Sequence, residues 1–204
     1  SDTQYMMDTL RVIYDVKIPL SSGAYGAIRR VNVNGAPLSI EDFRSLNEVG
    51  IGTYQIFQET YHKKTYKAVH SANTLKGNYR WRLYAMHRAL EAGVDDVGIG
   101  ALLGLYDWKF EVMGLLAHAI ELESKFGIGP HTISFPRIEP AENTPFVSHL
   151  KNKVSDADFR KAIVVLRLAV PYTGMILTAR ENARIRREMI PLGITQTDAS
   201  SNVG

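Results

Sequence analysis

Residues 95–136 read D-D-V-G-I-G-A-L-L-G-L-Y-D-W-K-F-E-V-M-G-L-L-A-H-A-I-E-L-E-S-K-F-G-I-G-P-H-T-I-S-F-P. The run 95–100 is short, apolar and closed by glycine, which predicts a buried strand rather than a helix. Residues 106–126 carry apolar side chains at helical spacing and stop at Gly127, a residue suited to the left-handed position after a helix. Residues 131–136 follow Gly129 and Pro130 and read as a second strand. Two short strands joined by a long helix make a parallel crossover unit, because parallel strands cannot be joined by a tight turn.

The same alternation extends both ways. Further strands are predicted at 28–34, where Ile28, Val31 and Val33 punctuate polar residues, and at 53–58, 173–178 and 193–198. Helices are predicted over 2–16, from Ser39 to near Gly50, over 78–92 ending at Gly93, over 156–169 behind Ser155, and over 181–190 ending before Pro191. A leading helix, five strand–helix units and a last strand indicate an α/β chain with a parallel sheet and helices outside it. A doubly wound sheet would carry a Gly-rich phosphate loop after its first strand, and none stands there. Gly98, Gly100 and Gly104 give G-x-G-x-x-x-G, which misses the dinucleotide spacing by one residue. A (β/α)8 barrel needs eight strands in about 250 residues. Six strands in 204 residues fit a partial barrel of the TIM type that lacks its first two units. No linker interrupts the chain, so 1–204 reads as a single domain, with its longest loop at 137–154.

Composition narrows the class. Hydrophobic residues make up 45% and charged residues 22%, the balance of a globular protein. The charges nearly cancel, 24 Lys and Arg against 21 Asp and Glu, which gives no electrostatic case for nucleic acid. Arg184, Arg186 and Arg187 are interleaved with Glu181 and Glu188, as on a solvated helix face. No apolar run approaches the ~20 residues of a membrane span, and the N-terminus shows no basic segment followed by an apolar one. There is no cysteine, hence no disulfide and no thiolate ligand for a metal or cluster.

In a barrel the chemistry lies where strands end and loops begin. The exit of the second readable strand holds Gln58, Glu59, Tyr61 and His62. Glu59 stands where a general acid, a general base or a ligand-binding carboxylate would stand, and where a surface carboxylate also would. Gly98 and Gly100 let either a planar ligand or a neighbouring strand approach the backbone. Thr178 and Arg180 follow the fifth strand. An arginine there offers a planar fork to a carboxylate, or it pairs with Glu181. Asp198, Ser200 and Ser201 follow the last strand. His131 precedes its strand and so belongs to the opposite end, where residues usually serve stability. The remaining histidines form no metal-ligand motif of the H-E-x-x-H kind, and no Ser-His-Asp set is legible.

Four strings, F-Q-E-T-Y-H-K-K-T-Y (57–66), D-D-V-G-I-G-A-L-L-G-L-Y-D-W (95–108), G-P-H-T-I-S-F-P-R-I-E-P-A (129–141) and V-P-Y-T-G-M-I-L-T-A-R-E (170–181), resemble the radical-SAM aromatic amino-acid lyases. The resemblance runs over essentially the whole chain. Two branches of that family compete: the tyrosine lyase of thiamine biosynthesis and the FeFe-hydrogenase maturase. The G-P-H-T string resembles the maturase branch, which implies that His131 helps to bind a labile iron. The thiamine branch lacks that histidine.

The resemblance implies a cytoplasmic parent enzyme that cleaves tyrosine with an adenosyl radical and yields p-cresol, CO and cyanide for hydrogenase cofactor assembly. It implies S-adenosylmethionine and two iron–sulfur clusters as cofactors of that parent, and maturation proteins as its partners. By position it assigns Gln58, Glu59, Gly98, Gly100 and Leu103 to S-adenosylmethionine, and Arg180 and Ser200 to the carboxylate of tyrosine. Both cysteine motifs of the family are missing, as are its first two strands and its C-terminal cluster domain. Asn202 departs from the arginine or small residue expected after Ser201. The chain is therefore expected to be a fragment of the barrel, inactive alone, without its own cofactor, and self-associating through strand edges at 28–34 and 193–198. A cofactor-free structural or interaction module is the reading from a different class.

Overall fold

The computed structural model describes residues 2–139 and 150–198. In chain order its elements are α1 (Thr3–Asp15), β1 (Lys17–Pro19), β2 (Tyr25–Ala27), β3 (Val33–Asn34), α2 (Ile40–Val49), β4 (Tyr54–Gln55), α3 (Lys63–Val69), α4 (Tyr79–Leu83), α5 (Ala85–Glu91), β5 (Val97–Gly100) and α6 (Trp108–Phe126). They continue as β6 (Thr132–Ser134), α7 (Asp156–Ala169), β7 (Gly174–Leu177), α8 (Ala183–Met189) and β8 (Gln196–Thr197). Strands β3 to β8 form one sheet in chain order, with parallel pairing, as the alternation of strands and helices requires. The chain divides into two compact units, residues 1–56 with 84–97, and residues 57–83 with 98–204.

In the first unit, the Ser39 side chain accepts from the Asp42 amide and starts α2, and Gly50 closes it at φ 89°. Phe43 and Leu46 of α2 are fully buried, and Phe43 meets Tyr54 edge to face at 4.6 Å. The expected strand 28–34 shrinks to two residues because a side chain takes part of its ladder: Oδ1 of Asn32 accepts from the Thr53 amide at 3.0 Å. That oxygen leaves no room at Gly52, where a methyl group would lie 2.4 Å from it. The antiparallel pair β1–β2 was not expected. Its residues are almost all exposed, so no buried face imposes an alternation that a reader could detect.

In the second unit, α6 starts on Asp107, whose side chain accepts from the Lys109 amide, and ends on Gly127 at φ 72°. Ser155 caps α7 in the expected way, through the Asp158 amide. Helix α3 escapes sequence reading because its cap is a histidine: Nδ1 of His62 accepts from the Thr65 amide. The helix expected over 78–92 is a correction. It breaks at Tyr84, with φ −89° and ψ 16°, into α4 and α5. Helix α8 likewise runs on past its expected end in a tight turn, Ile190–Leu192, since Pro191 is tolerated in a first turn.

Candidate functional site

In the second unit, strand register sorts the side chains onto two faces. Gly98 lies beside Thr132, Gly100 beside Ser134, and Ser134 beside Ile176. The opposite set, Ile99, Ile133, Phe135, Met175 and Leu177, is buried, and Phe135 meets Phe159 of α7 at 6.0 Å. One face is therefore hydrocarbon packed under helices, and the other is mostly small or hydroxylic. A closed barrel usually fills its interior with Val, Ile and Leu. Here Thr132 and Ser134 are buried instead, and the Thr132 hydroxyl has no hydrogen-bond partner among the described residues.

The exit of β4 is the most constrained stretch. The Gln58 amide donates to the Gly100 carbonyl at 2.9 Å, and the Leu102 amide donates to the Glu59 carbonyl at 2.7 Å. Between these bonds Glu59 takes φ 70°, the left-handed region that a residue with a Cβ seldom adopts. Such strain persists only where the surroundings enforce it. The side chain of Gln58 is buried, and neither atom of its amide group has a partner among the described residues. Glu59 is held by Arg82 of α4. One guanidinium nitrogen donates to Oε1 of Glu59 at 2.9 Å, and Nε donates to the Phe57 carbonyl at 2.6 Å. Lys76 lies 3.7 Å from the same carboxylate oxygen.

Behind this exit lies a carboxylate that sequence reading missed. Glu111 of α6 is wholly buried. It accepts from the Thr60 hydroxyl and, at 2.8 Å, from the Tyr61 amide. Burial pushes its carboxyl above the ordinary range, against the two hydrogen bonds that pull it down. The Tyr61 phenol is pushed well up by burial and by Glu111, and it bonds Nδ1 of His118 at 2.9 Å. The only sequence signal was an acidic residue one turn into an apolar helix, which also suits the helix dipole.

The small residues of β5 resolve in favour of packing at one position. A methyl group on Gly100 would lie 2.5 Å from Cδ1 of Phe57 and 2.6 Å from the Ser134 carbonyl oxygen. Gly98 is buried, and Leu103 is fully buried with its amide on the Pro136 carbonyl at 2.8 Å.

Arg180 follows β7 by three residues and is exposed. It does not pair with Glu181. That carboxylate is buried and belongs to Arg137, which also bonds Asp156 and stacks on Phe159 at 4.7 Å. Asp198 reaches the same strand ends and accepts from the Ala179 amide at 3.1 Å. Ser200, Ser201 and Asn202 lie outside the described residues.

His131 immediately precedes β6. It is exposed, and its carbonyl accepts from the Gly174 amide at 2.7 Å. Register places Glu59 opposite Ala101 and Ser134 opposite Gly100. His131 thus lies about four residues back along the strands, roughly 13 Å at ~3.3 Å per residue. Glu59 and Arg180 follow their strands and His131 precedes its own, so the histidine sits at the other end. Among the described residues no three acidic or histidine side chains gather in a way that could hold a metal.

The donor set tests the cofactors the resemblance implies. Iron–sulfur clusters are held by thiolates, with histidine as an occasional substitute. This chain has no cysteine and does not fit a cluster. The orphaned Gln58 amide and the partly open Glu59 carboxylate do fit a polar organic ligand such as S-adenosylmethionine.

A domain model described as the Biotin and Thiamin Synthesis associated domain matches residues 134–202. The 2-iminoacetate synthase of Salmonella typhimurium is 31% identical over 166 residues, 81% of this chain and 43% of that protein. The Escherichia coli 2-iminoacetate synthase is 30% identical over the same shares. A crystal structure of HydG, a maturase of the [FeFe]-hydrogenase, is 51% identical with a TM-score of 0.88, covering 96% of this chain and 42% of that one. HydG from Carboxydothermus hydrogenoformans is 45% identical with a TM-score of 0.86, covering 100% of this chain and 46% of that one. The chain thus spans less than half the length of these relatives. Methylornithine synthase, at 17% identity and a TM-score of 0.70, shares the fold alone.

Proposed function

We propose, from the premise that this chain belongs with HydG and the 2-iminoacetate synthases as a part of their barrel, that it forms the wall of a radical-SAM tyrosine lyase of the hydrogenase-maturase branch. The observation that carries the branch is the 51% identity to HydG over 96% of the chain, against 31% to a 2-iminoacetate synthase over 81%. The match to a thiamin-synthesis domain over 134–202 favours the 2-iminoacetate synthase as the second reading.

In the parent, S-adenosylmethionine supplies the adenosyl radical that opens tyrosine to p-cresol and the precursor of CO and cyanide. This chain's part is to bind and orient. Gln58 and Glu59 offer hydrogen-bonding groups at the exit of β4, beside Gly98, Gly100 and Leu103. Arg180 and Ser200 take the carboxylate of tyrosine. His131 offers one imidazole to the iron cargo at the other end, and the remaining ligands come from elsewhere. Iron–sulfur clusters belong to other parts of the parent, and the chain alone is inactive and without a bound cofactor. The parent is cytoplasmic and works with hydrogenase maturation proteins. The chain does not bind nucleic acid or membrane, and it self-associates through the edges at β3 and β8.

Full-length protein with clusters reconstituted, given tyrosine and S-adenosylmethionine, is expected to form p-cresol, and its His131→Ala variant to keep doing so while losing labile iron. Loss of p-cresol with iron retained would overturn the maturase assignment. p-Cresol from residues 1–204 alone would overturn the claim that the isolated chain is inactive.

A further inference from the structure

We propose that the outer face of α6 is an interface for a second copy of this chain, packed antiparallel about a two-fold axis at Leu115. The proposal is independent of the catalytic reading above.

A helix that covers a core turns apolar residues inward and polar residues to water. Helix α6 is apolar on both sides. Val112, Leu115, Ala119 and Leu122 are buried. Phe110, Met113, Ala117 and Ile120 are exposed, the three large ones at 44%, 63% and 62%. At 3.6 residues per turn the exposed four fall within about 80° of one another, on the side away from the buried four. From 110 to 120 the only polar side chains are Glu111 and His118, and both are buried. Three turns of helix, about 16 Å long, thus present water with hydrocarbon and no charge.

The exposed four are spaced three, four and three residues apart, the spacing of a seam along which two helices pair. An isologous pair needs a face that matches itself, so that residue i meets j and j meets i. A two-fold axis at Leu115 sets Phe110 opposite Ile120 of the second copy, and Met113 opposite Ala117, so the long Met side chain meets the smallest one. The same axis sets Lys109 opposite Glu121, and both are exposed. The charges that bracket the apolar stretch therefore complement each other across the axis, each pair occurring twice. Parallel pairing would set Lys109 against Lys109 and Glu121 against Glu121. Spacing, size and charge thus agree on one arrangement, and the occupant they select is the same helix reversed. A seam of three turns is smaller than the roughly 800 Å² per partner of a standard interface, so a dissociation constant in the micromolar range is expected.

The test is sedimentation equilibrium of the full-length protein, with the unfolding midpoint recorded for each variant. All substitutions lie on α6, which separates this face from the strand edges at β3 and β8. Met113→Glu is expected to weaken dimerisation at least about tenfold, since it sets two carboxylates in the seam. Lys109→Glu and Glu121→Lys are each expected to weaken it about fivefold, the scale of two exposed pairs turned repulsive. The double variant carrying both is expected to return to wild-type affinity, because the charges are exchanged across the axis. Benzoylphenylalanine placed at position 113 is expected to cross-link, on illumination, to the peptide that holds Ala117 of a second chain. A wild-type protein that stays monomeric at about 100 µM would overturn the proposal. So would a dimer that Met113→Glu leaves unchanged, or a cross-link from position 113 that stays within one chain. A double variant as weak as its single parents would overturn the antiparallel pairing and the proposal with it. If Met113→Glu does not fold, the charge exchange and the cross-link decide.

Discussion

Arg137 and Glu181, 44 residues apart in sequence, meet in a two-bond fork, Nε to Oε1 at 2.8 Å and a terminal nitrogen to Oε2 at 2.5 Å. The pair joins the exits of β6 and β7, and Asp156 in the first turn of α7 closes the group at 2.8 Å. The two carboxylates hold the Arg137 guanidinium charged, and Arg137 and Arg184 draw Asp156 below the usual carboxylate range.

Removing Glu181 leaves the Arg137 guanidinium with Asp156 as its remaining counter-charge. Glu181→Ala is expected to cost about 1–3 kcal/mol in urea unfolding. The double variant Arg137→Met, Glu181→Leu is expected to lose less than either single change, since two apolar side chains need no counter-charge. A double variant less stable than Glu181→Ala would count against this account.

Glu111 makes a pH prediction with a definite sign. Burial raises its folded carboxyl above the unfolded value. The folded state therefore holds the proton longer than the unfolded state, and the slope of stability with pH is negative through that window. Its contribution is whole below about pH 4, near the unfolded value, and is lost as pH rises through the raised folded value. Glu111→Gln keeps an acceptor for the Tyr61 amide and a donor for the Thr60 hydroxyl, and should remove that slope. Glu111→Leu leaves the Tyr61 amide unpaired and should cost about 1–3 kcal/mol at every pH. Unfolding curves from pH 4 to 8 distinguish the three proteins.

Gly100 tests the packing of the strand exits. In Gly100→Ala the methyl group meets Cδ1 of Phe57 at 2.5 Å and the Ser134 carbonyl at 2.6 Å. The ring can turn aside, but the backbone oxygen can move only with its strand. A loss of about 1–3 kcal/mol is expected. Adding Phe57→Ala should recover only part of it, which thermal unfolding would show.

Thr195 tests the last strand. Its hydroxyl accepts from the Met175 amide at 2.8 Å, a place that a backbone carbonyl would hold in a regular ladder. Thr195→Val keeps the shape and removes the acceptor. The Met175 amide should then exchange at least tenfold faster with deuterium, while the Ile133 amide keeps its protection.

The strands and most helices were legible because their signals are local. Ser39, Ser155, Gly50 and Gly127 end helices through bonds to residues a few positions away, and all four were read correctly. The ladder lengths were not legible, because Asn32 and Thr195 replace backbone partners with side chains, which no periodicity records. Gln58 and Glu59 were legible as a polar pair at a strand exit, whereas the left-handed backbone at Glu59 was not, since glycine is the residue that usually marks it.

The sequence by itself determined the parallel strand–helix order and the opposite ends of the sheet for His131 and Glu59, because a residue before or after its strand in a parallel sheet has only one end to occupy. The tertiary structure alone decided which charges meet. Arg82 finds Glu59 across 23 residues, Thr60 finds Glu111 across 51, and Arg137 rather than Arg180 takes Glu181 across 44. Periodicity reports which face of an element is buried. It does not report which side chain of another element stands opposite, and buried charges are settled by that opposition.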